Sequence, residues 1–215
     1  IGRNGSQYHR SRNHVPHGGS TFAPLVQTSA IERGGQMNSN VTSPTRLPIA
    51  MLHHVADESA WSSLAPFIIQ KKTFSLFLDS IERANRWGQS LEKASKTNPG
   101  KSVAITFDDC GRHLLDFAIP ELTRRGMTAS FFFPTAHLSG FNTWDVQEGK
   151  PKVELMTSND LVSLHSLGME IGTHGHDHIH LAELPEKEAL KQLKQSKSIL
   201  DSILGQPIAN MAWPY

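Results

Sequence analysis

From residue 47 onward, short apolar runs alternate with stretches of helical spacing, and few folds accommodate that order. Ile49-Ala50-Met51-Leu52 reads as a buried strand, and so do residues 103–107, 129–133, 169–173 and 208–213. Between them, residues 74–91 carry apolar residues at mixed helical spacing, enough for one or two helices. Residues 114–125 form a helix ended by Gly126, and Thr157-Ser158-Asn159-Asp160 has the form of a capping box opening a helix to Leu167. The strongest helix is 185–204, with Leu190, Leu193, Leu200, Ile203 and Leu204 on one face. Residues 135–152 read as a loop. Strands separated by helices pair in parallel, so the fold class is α/β, and functional groups are expected at the carboxyl ends of the strands.

Composition excludes several functions. With 21 Lys+Arg against 20 Asp+Glu the formal net charge is +1, and the basic residues form no stripe, so no nucleic-acid partner is implied. No apolar stretch approaches the roughly 20 residues of a membrane span. The single cysteine, Cys110, excludes an internal disulfide framework. Residues 1–47 are polar, aperiodic and without the apolar region of a secretory signal, so they read as a disordered or non-native leader, with a start at Met37 as one origin. With no signal visible, a cytoplasmic location is the default.

Two clusters carry chemical content, and both follow strands. Ile105-Thr106-Phe107 runs into Asp108-Asp109, two adjacent carboxylates that repel one another. Either could cap a helix beginning near Arg112, and the stretch alone does not decide between cap and chemistry. Twelve histidines is a high count, and four of them fall in His174-Gly175-His176-Asp177-His178-Ile179-His180. His174 and His178, four apart, can face one ion if the loop makes a helical turn, whereas His176 and His180 read as packed or surface residues. Two imidazoles and one carboxylate make a three-ligand set that leaves positions open for water and substrate, as catalytic metal sites do.

Thr106-Phe107-Asp108-Asp109, then His174-x-x-x-His178 after Glu170-Ile171-Gly172, then Trp213-Pro214-Tyr215, resembles the NodB-homology polysaccharide deacetylases, carbohydrate esterase family four. Gly126-Met127-Thr128-Ala129-Ser130-Phe131-Phe132 is similar to a further stretch of that family, and the likeness spans residues 48–215. It implies a distorted (β/α) barrel, incomplete at its C-terminal end, in a domain of residues 48–215. It also implies a metal-dependent hydrolase that removes N-acetyl groups from an amino-sugar polysaccharide or glycan. By this resemblance Asp108 is the general base, while Asp109, His174 and His178 hold a divalent metal, zinc being the expected ion. The backbone N–H of Tyr215 helps to stabilise the oxyanion. The chain departs from the family pattern at Gly175, where a hydroxyl residue is usual, and at Ala212, where an arginine often orients the base. The general acid is expected beyond Tyr215, with His53 and His54, at an early strand end, as residues that could line the site. Two other readings stay open: an inactive carbohydrate-binding remnant of the fold, and a cyclic-amide hydrolase of the same superfamily.

Overall fold

A computed structural model describes residues 46–57 and 62–215, so the leader expected over 1–47 lies outside the described residues except at its last two positions. The central sheet consists of β1 (Ile49–Leu52), β4 (Trp87–Gln89), β5 (Ser102–Phe107), β6 (Ser130–Phe133) and β7 (Glu170–Thr173), all parallel. Its order is β1-β5-β6-β7, with β4 paired to the amino end of β5. Two short strands, β2 (His54–Val55) and β3 (Ile68–Ile69), pair separately. Among the described residues β1 and β7 are not joined, so the barrel is open.

β5 and β6 are continuous apolar runs, as strands covered on both faces require, whereas β1, read as buried, exposes Ile49 and Met51. Phe107 and Phe131 stack at 5.1 Å between ring centroids, and Phe74 meets Phe107 edge-on at 6.1 Å. Phe74 belongs to α1 (Lys71–Arg83), which buries Phe74, Leu78 and Ile81 at i, i+4 and i+7. Two further helices, α3 (Ala118–Arg124) and α5 (Ser158–Ser166), add Leu122, Leu161 and Leu164 to the same core. Removing a ring such as Phe107 would cost about 3–5 kcal/mol in lost transfer energy and cavity. The capping box of α5 is present: the Thr157 hydroxyl accepts from the Asp160 amide at 3.2 Å, and the Asp160 carboxylate accepts from the Thr157 amide at 2.8 Å.

Several expectations need correction. The helical reading of 74–91 ends at Arg83, because residues 87–89 form β4 against Ser102, Val103 and Ala104. Gly88 leaves room for the side chains over this strand: a Cβ there would meet Met127 Sδ at 2.7 Å and Ile105 Cδ1 at 3.0 Å. A further helix, α2 (Leu91–Lys96), follows at once, capped by Ser90. The helix read over 114–125 is a 3₁₀ turn, Arg112–Asp116, followed by α3, which places Pro120 in a first turn that needs no amide from it. The supposed loop 135–152 contains a short helix, α4 (Thr143–Gln147).

The long helix α6 (Glu186–Leu204) matches its expected span, but its face buries only toward the C-terminal half, at Ser196 and Leu200. Leu190 is exposed. The strand expected over 208–213 reduces to one parallel bridge, Thr173 to Met211. Side chains of α6 take the backbone groups a strand would have paired: Asp201 accepts from the Ile208 amide at 2.7 Å and Lys197 donates to its carbonyl at 2.8 Å. No described helix is long and apolar enough to cross a membrane.

Candidate metal centre

The site lies where the sheet ends. β5 delivers Asp108 and Asp109, β7 delivers His174, and β1 delivers His53, all to one cavity of about 340 Å³ that also admits His178 and Tyr215. The two carboxylates cap nothing. The 3₁₀ turn after them begins at Gly111 without a side-chain cap, which removes the alternative of a helix N-cap. Asp109 has φ +64° and Cys110 φ +57°, both left-handed, and the Cys110 amide closes on the Asp108 carbonyl at 2.7 Å. Backbone of this kind is costly for residues with a Cβ and persists where the surroundings over-determine it.

The histidine loop reaches the same point by a route different from the helical turn expected. Residues 174–180 form no helix. Gly175 at φ +76° and His178 at φ +52° bend the chain so that both imidazoles return to Asp109. The Thr135 and Ala136 amides donate to the Gly175 and His176 carbonyls at 3.3 and 2.9 Å, fastening this loop to the chain after β6. His176 and His180 keep the structural role read for them. The ring of His176 lies 2.8 Å from both the Thr135 hydroxyl and the Gln195 amide, and His180 stacks on Tyr215.

Asp109, His174 and His178 are all buried, and their potential ligand atoms lie within 4.8 Å of one another. Asp109 Oδ1 is 3.0 Å from Nε2 of His178 and 3.5 Å from Nε2 of His174. The donor chemistry fits a cation. His174 Nδ1 faces the Ala212 carbonyl at 3.1 Å, and a carbonyl only accepts, so Nδ1 carries the proton and Nε2 presents a lone pair. Burial lowers the His174 pKa to about 4 against the raising influence of Asp109, so this ring is neutral at pH 7. Two lone pairs therefore face each other at Asp109 and His174, an arrangement that a positive ion between them would satisfy. Burial acts to raise the Asp109 carboxyl, but His178 and then His174 outweigh it and hold it below its ordinary value.

Asp108 is a different carboxylate. Its Oδ1 is buried without a hydrogen-bond partner, and burial, then the adjacent Asp109, push its pKa up to about 7. Ala212, where the family pattern often has arginine, brings no charge to oppose that rise. Cys110, fully buried with Sγ 3.1 Å from the Phe132 carbonyl, has its thiol pKa raised by burial and packs as an inert side chain.

Sequence reasoning missed part of the wall. Leu64, Phe67, Trp144, Asp145 and Lys150 also line the cavity. The one signal in the sequence was Trp144 itself, a large apolar side chain in a stretch read as loop, where full exposure is disfavoured.

Known proteins match the sequence and the fold. The profile described as polysaccharide deacetylase matches residues 95–215. The Bacillus subtilis (strain 168) protein YxkH is 24% identical over 177 residues, which cover 80% of this chain and 57% of that protein, so the chain spans little more than half the length of this curated relative. Among solved structures, Streptococcus pyogenes deacetylase PplD in complex with acetate superposes with a TM-score of 0.66 at 22% identity, covering 80% of this chain and 75% of that one. IcaB from Ammonifex degensii does so with a TM-score of 0.64 at 21% identity and the same two coverages. These likenesses place the fold among deacetylases of the NodB (β/α)-barrel type. With more than half of its residues matched by the family profile, this chain belongs to the polysaccharide deacetylase family.

Proposed function

We propose that the chain carries the catalytic centre of a metal-dependent hydrolase that removes N-acetyl groups from an amino-sugar polysaccharide or glycan. The observation that carries this reading is the convergence of buried potential ligand atoms on Asp109, His174 and His178, with the unpartnered carboxylate oxygen of Asp108 beside them. Asp109, His174 and His178 would hold the ion, and zinc suits two nitrogen ligands and one oxygen ligand. A bound divalent cation supplies Lewis acidity toward the acetyl carbonyl and toward water.

The chain's own groups supply the rest. Asp108 accepts a proton from the attacking water as its oxygen bonds to the carbonyl carbon. The backbone N–H of Tyr215 donates to the developing oxyanion. When the C–N bond breaks, acetate leaves and the amine takes up a proton. His53 and His54 both line the cavity outside the proposed ligand set, and neither is assigned as the donor of that proton. Burial lowers the His53 pKa, and the nearby Asp109 works against that fall.

The test is acetate release from a panel of N-acetylated glycans by protein that has been stripped with chelator, reloaded with zinc, or changed at Asp109→Ala. Release is expected from the reloaded protein alone. Release undiminished by stripping, or none from any glycan after reloading, would overturn the reading.

A further inference from the structure

The two ligand imidazoles are held in different ways. His174 is fixed by the hydrogen bond from Nδ1 to the Ala212 carbonyl, the usual outer partner of a metal-binding histidine. His178 has none: its Nδ1 is buried without a hydrogen-bond partner, and its backbone sits in the left-handed region at φ +52°. Beyond the contact of its Nε2 with Asp109 Oδ1 at 3.0 Å, what constrains its ring is stacking. The Trp144 indole lies on it with centroids 3.8 Å apart and planes 19° from parallel, and the Tyr215 ring meets it at 5.0 Å and 64°.

Trp144 is itself fastened. It sits on α4, where the buried Asn142 amide donates to Asp145 and to the Pro151 carbonyl, both at 3.0 Å, and accepts from the Val153 amide at 2.6 Å. His137 packs edge-on against Trp144 at 5.1 Å. Its Nε2 lies 3.3 Å from the Asp177 carbonyl, so it ties α4 to the residue preceding His178.

We infer that Trp144 is a positioning residue that sets the plane of the His178 imidazole by stacking, in place of the hydrogen bond that orients His174. The inference rests on the ligand assignment proposed above and concerns a role which that assignment leaves open. An imidazole without a bonded Nδ1 can rotate about its Cβ–Cγ bond and swing Nε2 away from Asp109. The indole face leaves one plane available to it.

Zinc affinity, measured by competition with a chromophoric chelator, and the visible spectrum of the cobalt(II)-loaded protein test this. Trp144→Ala should weaken zinc binding about 10-fold or more, within the range for loss of an outer partner, and should shift the cobalt bands. Trp144→Phe should recover most of both. The inference is overturned if Trp144→Ala binds zinc within twofold of wild type with an unchanged cobalt spectrum, or if Trp144→Phe is no better than Trp144→Ala. Should Trp144→Ala fail to fold by circular dichroism, Trp144→Leu, which keeps bulk without a ring, is compared with Trp144→Phe, and equal affinities overturn the inference. Wild-type protein that takes up no zinc, with His178→Ala indistinguishable from it, would instead overturn the metal reading itself and this inference with it.

Discussion

The two ends of the sheet treat their acidic groups in opposite ways. At the amino end, Glu170 opens β7 and receives a donor at both oxygens: the Glu92 amide and the Ser130 hydroxyl each at 2.8 Å on one, the Asn210 side-chain amide on the other. Nearby, the Arg125 guanidinium is shared among Asp79, Glu82 and Glu121 at 2.6–2.8 Å. At the carboxyl end, Asp108 and Asp109 each keep an oxygen without a hydrogen-bond partner. A buried polar atom without a partner costs about 1–3 kcal/mol, more when charged, so the amino end adds to stability while the carboxyl end draws on it. The difference separates structural from chemical polarity: where every acceptor is answered within the chain, no ligand is called for.

Substitutions can break that contrast, and the largest effect is expected at Asp108. Asp108→Asn keeps the shape and removes the proton acceptor, so turnover should fall 10²–10⁴-fold while metal content stays at the wild-type level. Single-turnover acetate release beside metal analysis checks this, and undiminished turnover would place the base elsewhere. Next comes His178→Ala, which removes a proposed ligand outright. Zinc affinity should drop by at least about 100-fold, the upper end of what losing only an outer partner costs. Competition titration measures it, and equal affinity in the two proteins would remove His178 from the ligand set.

The amino end should respond in stability alone. Glu170→Ala strands the donors of Ser130, Asn210 and the Glu92 amide, so unfolding free energy should fall by about 1–3 kcal/mol with zinc affinity unchanged. Urea denaturation and the zinc titration together decide it, and a loss of zinc affinity as large as at His178 would erase the distinction between the ends. A pH-dependent effect is expected at His113, whose pKa burial lowers to about 3, with His54 and Lys71 acting the same way. The unfolded chain takes up a proton here near pH 6.5 and the folded chain does not until about 3, so stability is lost as pH falls through that window, by up to about 1.4 kcal/mol per unit. His113→Phe should flatten the slope of melting temperature against pH between 6.5 and 4. An unchanged slope would assign the acid sensitivity to other groups.

How much of this was legible in the sequence follows from which interactions are local. The strands at 103–107 and 129–133 were visible because both-face burial writes a continuous apolar run, those at 49–52 and 169–173 as short runs bounded by polar residues, and α5 because its capping box is a four-residue signal. Asp108, Asp109, His174 and His178 stood out as candidates through motifs shared with the family, since the acid pair alone left a helix N-cap open and two of the clustered histidines read as structural. β4 was not, since three residues including a glycine have no period and exist as a strand only through β5. The failed strand at 208–213 was hidden for the converse reason: the partners of Ile208 are Lys197 and Asp201, side chains on a helix read independently of it. The means by which the histidines converge was also illegible, since a left-handed His178 is set by tertiary packing and has no sequence signature.

The paired left-handed residues Asp109 and Cys110 have a consequence for how the protein can vary. A left-handed residue with a side chain costs roughly 1–2 kcal/mol relative to glycine. Asp109 cannot yield, because its carboxylate belongs to the proposed centre. Cys110, inert and buried, carries the same backbone penalty with no proposed chemical role, and its side chain contributes only packing and the contact to Phe132. Drift at this turn is therefore lopsided. Under selection for heat resistance, glycine is the substitution that position 110 should admit most readily, while the neighbouring aspartate stays fixed and the lineage continues to carry its strain.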